Sequence, residues 1–160
     1  ALAATRKRAT QLGIRSLADL PRHAPTLSIA GDYEFFGRPE WKAIRDTYGL
    51  AFRQQRQMQA EFMYPPVAAG EIDIISAYTS DGRIAQFGLQ VLDDPKRAIP
   101  PYDAILLVSP KRANDKAFLD ALRPLVDAIN VDTMREANRR AGEGSSPEAV
   151  ARWLAEKIAR

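Results

Sequence analysis

The chain has 160 residues, 46% of them hydrophobic and 27% charged, a composition that supports one globular domain with its own core and excludes a disordered or collagen-like chain. The 23 Lys and Arg against 20 Asp and Glu leave a net charge of +3, too balanced to argue for a nucleic-acid surface. Cysteine is absent, which excludes structural disulfides, thiolate zinc sites and a cysteine nucleophile.

No apolar run approaches the ~18 residues that a membrane helix needs. The start, Ala1 to Arg8, lacks both an initiating Met and the apolar segment of a signal peptide, so it reads as a chain beginning inside a longer protein. Ala3 to Leu12 reads as a short basic helix closed by Gly13, and Ser16 as the N-cap of a brief helix over Leu17 to Arg22. Thr26 to Ala30 alternates as a strand does. Pro39 suits the first turn of a helix that runs to Tyr48 and stops at Gly49. Ala51 to Gln57 is polar enough for an edge strand, and Glu61 to Ala69 is a helix ended by Gly70.

Ile72 to Tyr78 reads as a buried strand followed by the loop Thr79-Ser80-Asp81-Gly82. One helical turn over Arg83 to Phe87 and a strand over Leu89 to Leu92 come next. A loop with three prolines, Asp93 to Pro101, leads to the most apolar expected strand, Ala104 to Ser109. From there only helices are expected: Asp115 to Ile129, kinked or split at Pro124, then Asp132 to Arg140, and Pro147 to Ala159 with Ser146 as N-cap. Strands alternating with helices predict an α/β layered domain with a largely parallel sheet, followed by an all-helical tail.

Catalytic chemistry finds little support. The single histidine, His23, sits in a polar turn, and a triad or a His-based metal site would need more. Asp93 and Asp94 read as solvated turn residues. Gly142-x-Gly144 lacks the third glycine and the preceding strand of a dinucleotide loop. Ser80 and Asp81 have no base in view. Arg6-Lys7-Arg8 and Arg139-Arg140 read as solvated helix faces. The expectation is a protein that is not an enzyme and uses neither cofactor nor metal.

Ligand-binding residues are better placed. Tyr78 and Tyr102 fall at the ends of expected strands or beside their loops, where open α/β sheets hold ligands. Arg38 follows the first expected strand and precedes a helix N-terminus, a place suited to anions. Tyrosine faces attract a cation and a guanidinium grips a carboxylate, so the three describe a site for a small zwitterion with a diffuse positive charge. The same residues allow another reading, in which Tyr78 lies in the core and Arg38 pairs with Glu34 or Glu40.

Several stretches carry a resemblance: Ala30-Gly31-Asp32-Tyr33-Glu34-Phe35-Phe36-Gly37-Arg38-Pro39, then Val67 to Ile84, then Leu92-Asp93-Asp94-Pro95 through Ile99-Pro100-Pro101-Tyr102, with Met134 to Asn138 and Ser146 to Leu154 in the tail. In order and spacing they resemble the substrate-binding proteins of glycine betaine/choline/proline (quaternary amine, osmoprotectant) ABC transporters. The resemblance implies one lobe of a type II periplasmic-binding-protein-like fold. Residues 1–109 would form the second, ligand-binding lobe, and residues 110–160 the helices that pack on a first lobe not contained in this chain. It further implies that Tyr78 and Tyr102 belong to a tyrosine box for a quaternary ammonium, and that Arg38 holds the carboxylate. Tyr33, Phe35 and Thr79 lie near these positions without a role that carries over.

By that resemblance the protein is the periplasmic or extracytoplasmic solute-binding component of an importer, working with an ABC permease. A second reading is a non-transport effector-binding or dimerising sensor module built from the same lobe. The apolar stripes of the tail, Phe118 to Ile129 and Trp153 to Ile158, would be hidden by folding back or, as expected here, by exchange with a second copy in a homodimer.

Overall fold

The structure, a computed structural model, describes residues 1–158. Five short strands form one sheet: β1 (Leu2–Thr5), β2 (Ser28–Gly31), β3 (Gln54–Gln57), β4 (Ile74–Ser76) and β5 (Leu89–Val91), in the order β3-β2-β4-β1-β5. β2 pairs parallel with β3 and β4, whereas β1 pairs antiparallel with both β4 and β5. Four strands therefore share one direction, and β1 alone runs against them. The sheet is mixed, with the largely parallel layout expected from the β–α alternation interrupted by one reversed strand.

That reversed strand is the first correction to the sequence reading. Leu2-Ala3-Ala4 is strand rather than the start of a helix, and α1 begins at Arg6 (Arg6–Leu12). Alanine and leucine are good helix formers, but all three residues are fully buried between β4 and β5, where sheet pairing and burial override propensity. Gly13 ends α1 at φ 64°, a left-handed position that costs glycine little.

Burial runs through both faces of the sheet. Leu2, Ala4, Ile29 and Ile74 pack under α1 and α2 (Pro39–Tyr48), while Ala3, Ala30 and Ile75 face α3 (Tyr64–Ala69) and α4 (Arg83–Gln86). Adjacent residues on one strand thus serve opposite cores, as the twofold alternation of strand side chains requires. On α2 the buried face is Trp41, Ile44 and Tyr48 at helical spacing, and Gly49 closes the helix in a left-handed conformation. At the other end of the strands Asp73 locks the β2–β4 register. Its carboxylate accepts from the Ser28 amide at 2.8 Å, the Ser28 hydroxyl at 3.0 Å and Arg8 Nε at 2.9 Å.

The second correction concerns residues 104–109. The most apolar expected strand forms none: Ala104 to Ser109 is irregular, with Ile105 79% and Leu107 91% exposed. A strand exists only through a ladder partner, and no strand of this sheet pairs with the segment. Beyond it lie α5 (Lys116–Leu122), a 3-10 turn at Arg123–Leu125, α6 (Val131–Gly142) and α7 (Pro147–Ile158). Pro124 does end the first of these helices, and α5 buries no residue. The expected end of the last helix at Ala159 lies outside the described residues. α6 packs against α4, and α7 packs on α6 with Arg140 stacked 4.3 Å from the Trp153 ring centre.

Candidate ligand cleft

Because β2, β4 and β5 run the same way, their carboxyl ends converge on one edge of the sheet. Residues following all three strands line a cleft of about 610 Å³ there, the size of a small-ligand site. Arg38, Tyr78 and Tyr102 all face this cleft. They come from three separate strand-to-loop connections, which only the fold brings together.

Tyr78 lies beyond β4 and is 53% exposed; Tyr102 follows the proline loop and is 71% exposed. Neither is a core tyrosine. Their ring centres are 6.2 Å apart at an interplanar angle of 39°, an open wedge. A cation seated over the wedge can lie within about 6 Å of both ring centres, close enough for both faces to attract it.

Arg38 is the residue before α2, and its guanidinium Nη2 donates to Glu34. The pairing with Glu34 noted as a possibility from the sequence is therefore present. Glu34, first through that hydrogen bond, holds Arg38 still more firmly protonated than an ordinary arginine. An arginine carries five N–H donors, and Glu34 is bonded through Nη2 alone. The loop before Arg38 is shaped by Asp32, whose carboxylate accepts from the Glu34 and Phe35 amides at 2.9 Å each. Gly31 is needed beneath it, because a Cβ there would lie 2.9 Å from the Cβ of Phe35.

The supports of the two tyrosines are residues that sequence reasoning missed. Asp94, read as a solvated turn residue, is instead the anchor of the loop that leads to Tyr102. It accepts from the Tyr48 hydroxyl and from the Ala98 and Ile99 amides at 3.1 and 2.8 Å. Burial works against its ionisation, but those three donors outweigh it and hold the carboxyl below the ordinary aspartate value. Asp93 beside it stays exposed, as expected. Asp81 plays the matching part for the Tyr78 loop. It takes Arg83 Nη2 at 2.7 Å and the Tyr64 hydroxyl at 2.7 Å. Burial again opposes ionisation of Asp81, and Arg83 more than offsets it. The same burial, with Asp81 as acceptor, pushes the Tyr64 hydroxyl well above an ordinary tyrosine. The signal available in the sequence was an acidic residue shortly after each expected strand end, a pattern shared by ordinary turns. Nothing in it named the distant tyrosines.

His23 lies away from the cleft and accepts from Arg22 Nε at 3.1 Å. Ser80 lines the cleft, and its carbonyl is held by Asn138 of α6 at 2.8 Å. Among the described residues no helix is long and apolar enough to cross a membrane.

Residues 1–156 match the family described as the substrate binding domain of ABC-type glycine betaine transport systems. A glycine-betaine-binding protein of Pseudomonas aeruginosa is 32% identical over 94% of this chain and 53% of its own length. An ergothioneine transport permease/ergothioneine binding protein of Helicobacter pylori is 26% identical over 98% of this chain and 29% of its own length. Among solved structures, one described as a glycine betaine/carnitine/choline ABC transporter superposes with a TM-score of 0.88 at 28% identity, covering 98% of this chain and 59% of that one. The chain thus spans about half the length of the Pseudomonas relative and less of the Helicobacter one. With a family match along nearly its whole length and a fold of the same design, the chain belongs to the substrate-binding domains of glycine betaine-type ABC transport systems.

Proposed function

We propose that this chain is the second lobe of a solute-binding component for glycine betaine- or choline-type compatible solutes. It binds and does not turn over its ligand, acts on the periplasmic or extracytoplasmic side, and delivers to an ABC permease. The quaternary ammonium sits on the faces of Tyr78 and Tyr102, and the carboxylate meets Arg38. The observation that carries this reading is the exposed tyrosine wedge on the same cleft as an arginine with donors to spare. Supporting it, glycine betaine and ergothioneine, the ligands in the two relatives' names, and carnitine, in the description of the solved structure, all combine a trimethylammonium with a carboxylate.

The wedge is open on its solvent side. Two tyrosine faces supply about 0.5–2 kcal/mol each, short of the roughly −8 kcal/mol of micromolar affinity. A first lobe closing over the cleft would supply further faces and exclude water, which strengthens every charge contact inside. The helices within residues 110–160 would then meet such a lobe. The exposed Ile105 and Leu107 and the unburied α5 favour this, and a homodimer that covers them with a second copy is the competing outcome.

The test is calorimetry with glycine betaine, carnitine and choline, on this chain alone and on the protein expressed from its full reading frame. The chain alone is expected to bind no tighter than millimolar, about −4 kcal/mol, and the complete two-lobe protein far more tightly. Absence of binding by the complete protein would reject the reading.

A further inference from the structure

Among the described residues the Tyr78 side chain makes no hydrogen bond, and its ring stands beside that of Tyr102. Its height in the cleft is therefore set by its main chain, and the loop that follows is gripped from outside by α6. Arg135 Nε donates to the Thr79 carbonyl at 2.9 Å, and Asn138 Nδ2 to the Ser80 carbonyl at 2.8 Å. Arg135 is itself braced by Asp132 at 3.0 Å. Two residues past Ser80, Gly82 lets the two backbones touch: a Cβ there would lie 2.7 Å from the carbonyl carbon of Asn138 and closer still to Arg139. These are independent signs of one contact, two donors aimed at consecutive carbonyls and a glycine where no side chain fits. Asp81, between Ser80 and Gly82, is tied inward to Tyr64 and Arg83, so the loop is clamped on both sides.

We propose that Asn138 and Arg135 are positioning residues for the ligand cleft: from the tail helix they fix the carbonyls of Thr79 and Ser80, and so the angle that Tyr78 presents toward Tyr102. Neither positioning residue touches the ligand. The inference rests on the ligand reading above, and it adds a link from the helical tail to the tyrosine wedge.

The test uses the protein expressed from its full reading frame, with 3-fluorotyrosine at position 78 as a ¹⁹F probe. Asn138→Ala is expected to move that resonance and to weaken glycine betaine and choline alike, roughly five- to tenfold for one lost hydrogen bond. Gly82→Ala, which leaves every donor in place but pushes α6 outward, is expected to move the same resonance further. An unmoved resonance in both variants would overturn the clamp, as would, where Tyr78→Ala itself weakens binding, a moved resonance with unchanged affinity for both ligands. Tyr78→Ala separates the two ideas: if it binds like the parent, the ligand reading fails, and the resonance alone then decides whether α6 holds the loop.

Discussion

At the scale of single residues, the proposed site would divide charge recognition between chemically different groups. A guanidinium can distinguish a carboxylate from a hydroxyl, whereas a tyrosine face responds to the cation alone. In a two-lobe protein, Arg38→Ala should weaken glycine betaine and carnitine roughly ten- to a hundredfold, the loss of a charged hydrogen-bonding partner, and choline much less, measured by calorimetry. Tyr78→Ala and Tyr102→Ala should each weaken all three by about 0.5–2 kcal/mol. Equal losses of betaine and choline on removing Arg38 would contradict its role. Asp94 supplies a pH prediction. Its carboxyl is held below the ordinary value of 3.8, so its contribution to stability is complete above that value and is lost as the pH falls through the lowered one. The Ala98 and Ile99 amides, which donate to it, should titrate together by NMR with a midpoint under 3.8.

Elements show where local preference yields to packing. The Leu2-Ala3-Ala4 segment prefers helix by composition, yet it occupies the interior of the sheet because its small, apolar side chains fit between β4 and β5 on both faces. Leu2→Ala should therefore cost about 2–5 kcal/mol in chemical denaturation, as a large-to-small change in a closed core does. The Asp73 lock between β2 and β4 should lose about 1–3 kcal/mol in Asp73→Ala, because the Ser28 amide is left without its acceptor. Elements whose ends carry their own signal match the expectation: Pro39 and Gly49 bound α2, and Pro124 stops α5.

Across the whole molecule, burial is uneven. The sheet and α1 to α4 enclose two cores, one on each face, while Ile105 and Leu107 stand in water. Leu107→Glu should leave the fold's stability within ~0.5 kcal/mol, as surface changes do. Light scattering on the chain should show it reducing any self-association through this segment. The tail is anchored at a different place. Glu136, hydrogen-bonded first to Arg139 and then to Arg140, is held down to about 2, so the α6–α7 junction should persist until the pH falls toward that value, followed by Trp153 fluorescence. Arg140 stacks on that ring, which makes it a direct reporter.

The residues alone determined the α/β class, the limits of α2, the end of α3 at Gly70, the three-residue candidate set of Arg38, Tyr78 and Tyr102, and the resemblance to quaternary-amine binding proteins. All but the resemblance, which rests on the order and spacing of whole stretches, follow from short-range chemistry: a capping glycine, a proline at a first turn, an aromatic residue at a strand end. Tertiary structure alone decided that β1 enters the sheet reversed, that Ala104 to Ser109 finds no ladder, and that Asp94 and Asp81 anchor loops instead of facing solvent. It also brought Asn138 to Ser80 across 58 positions. Pairing and hydrogen bonding depend on which partners arrive in space, and partners that far apart in the chain leave no periodicity in it to read.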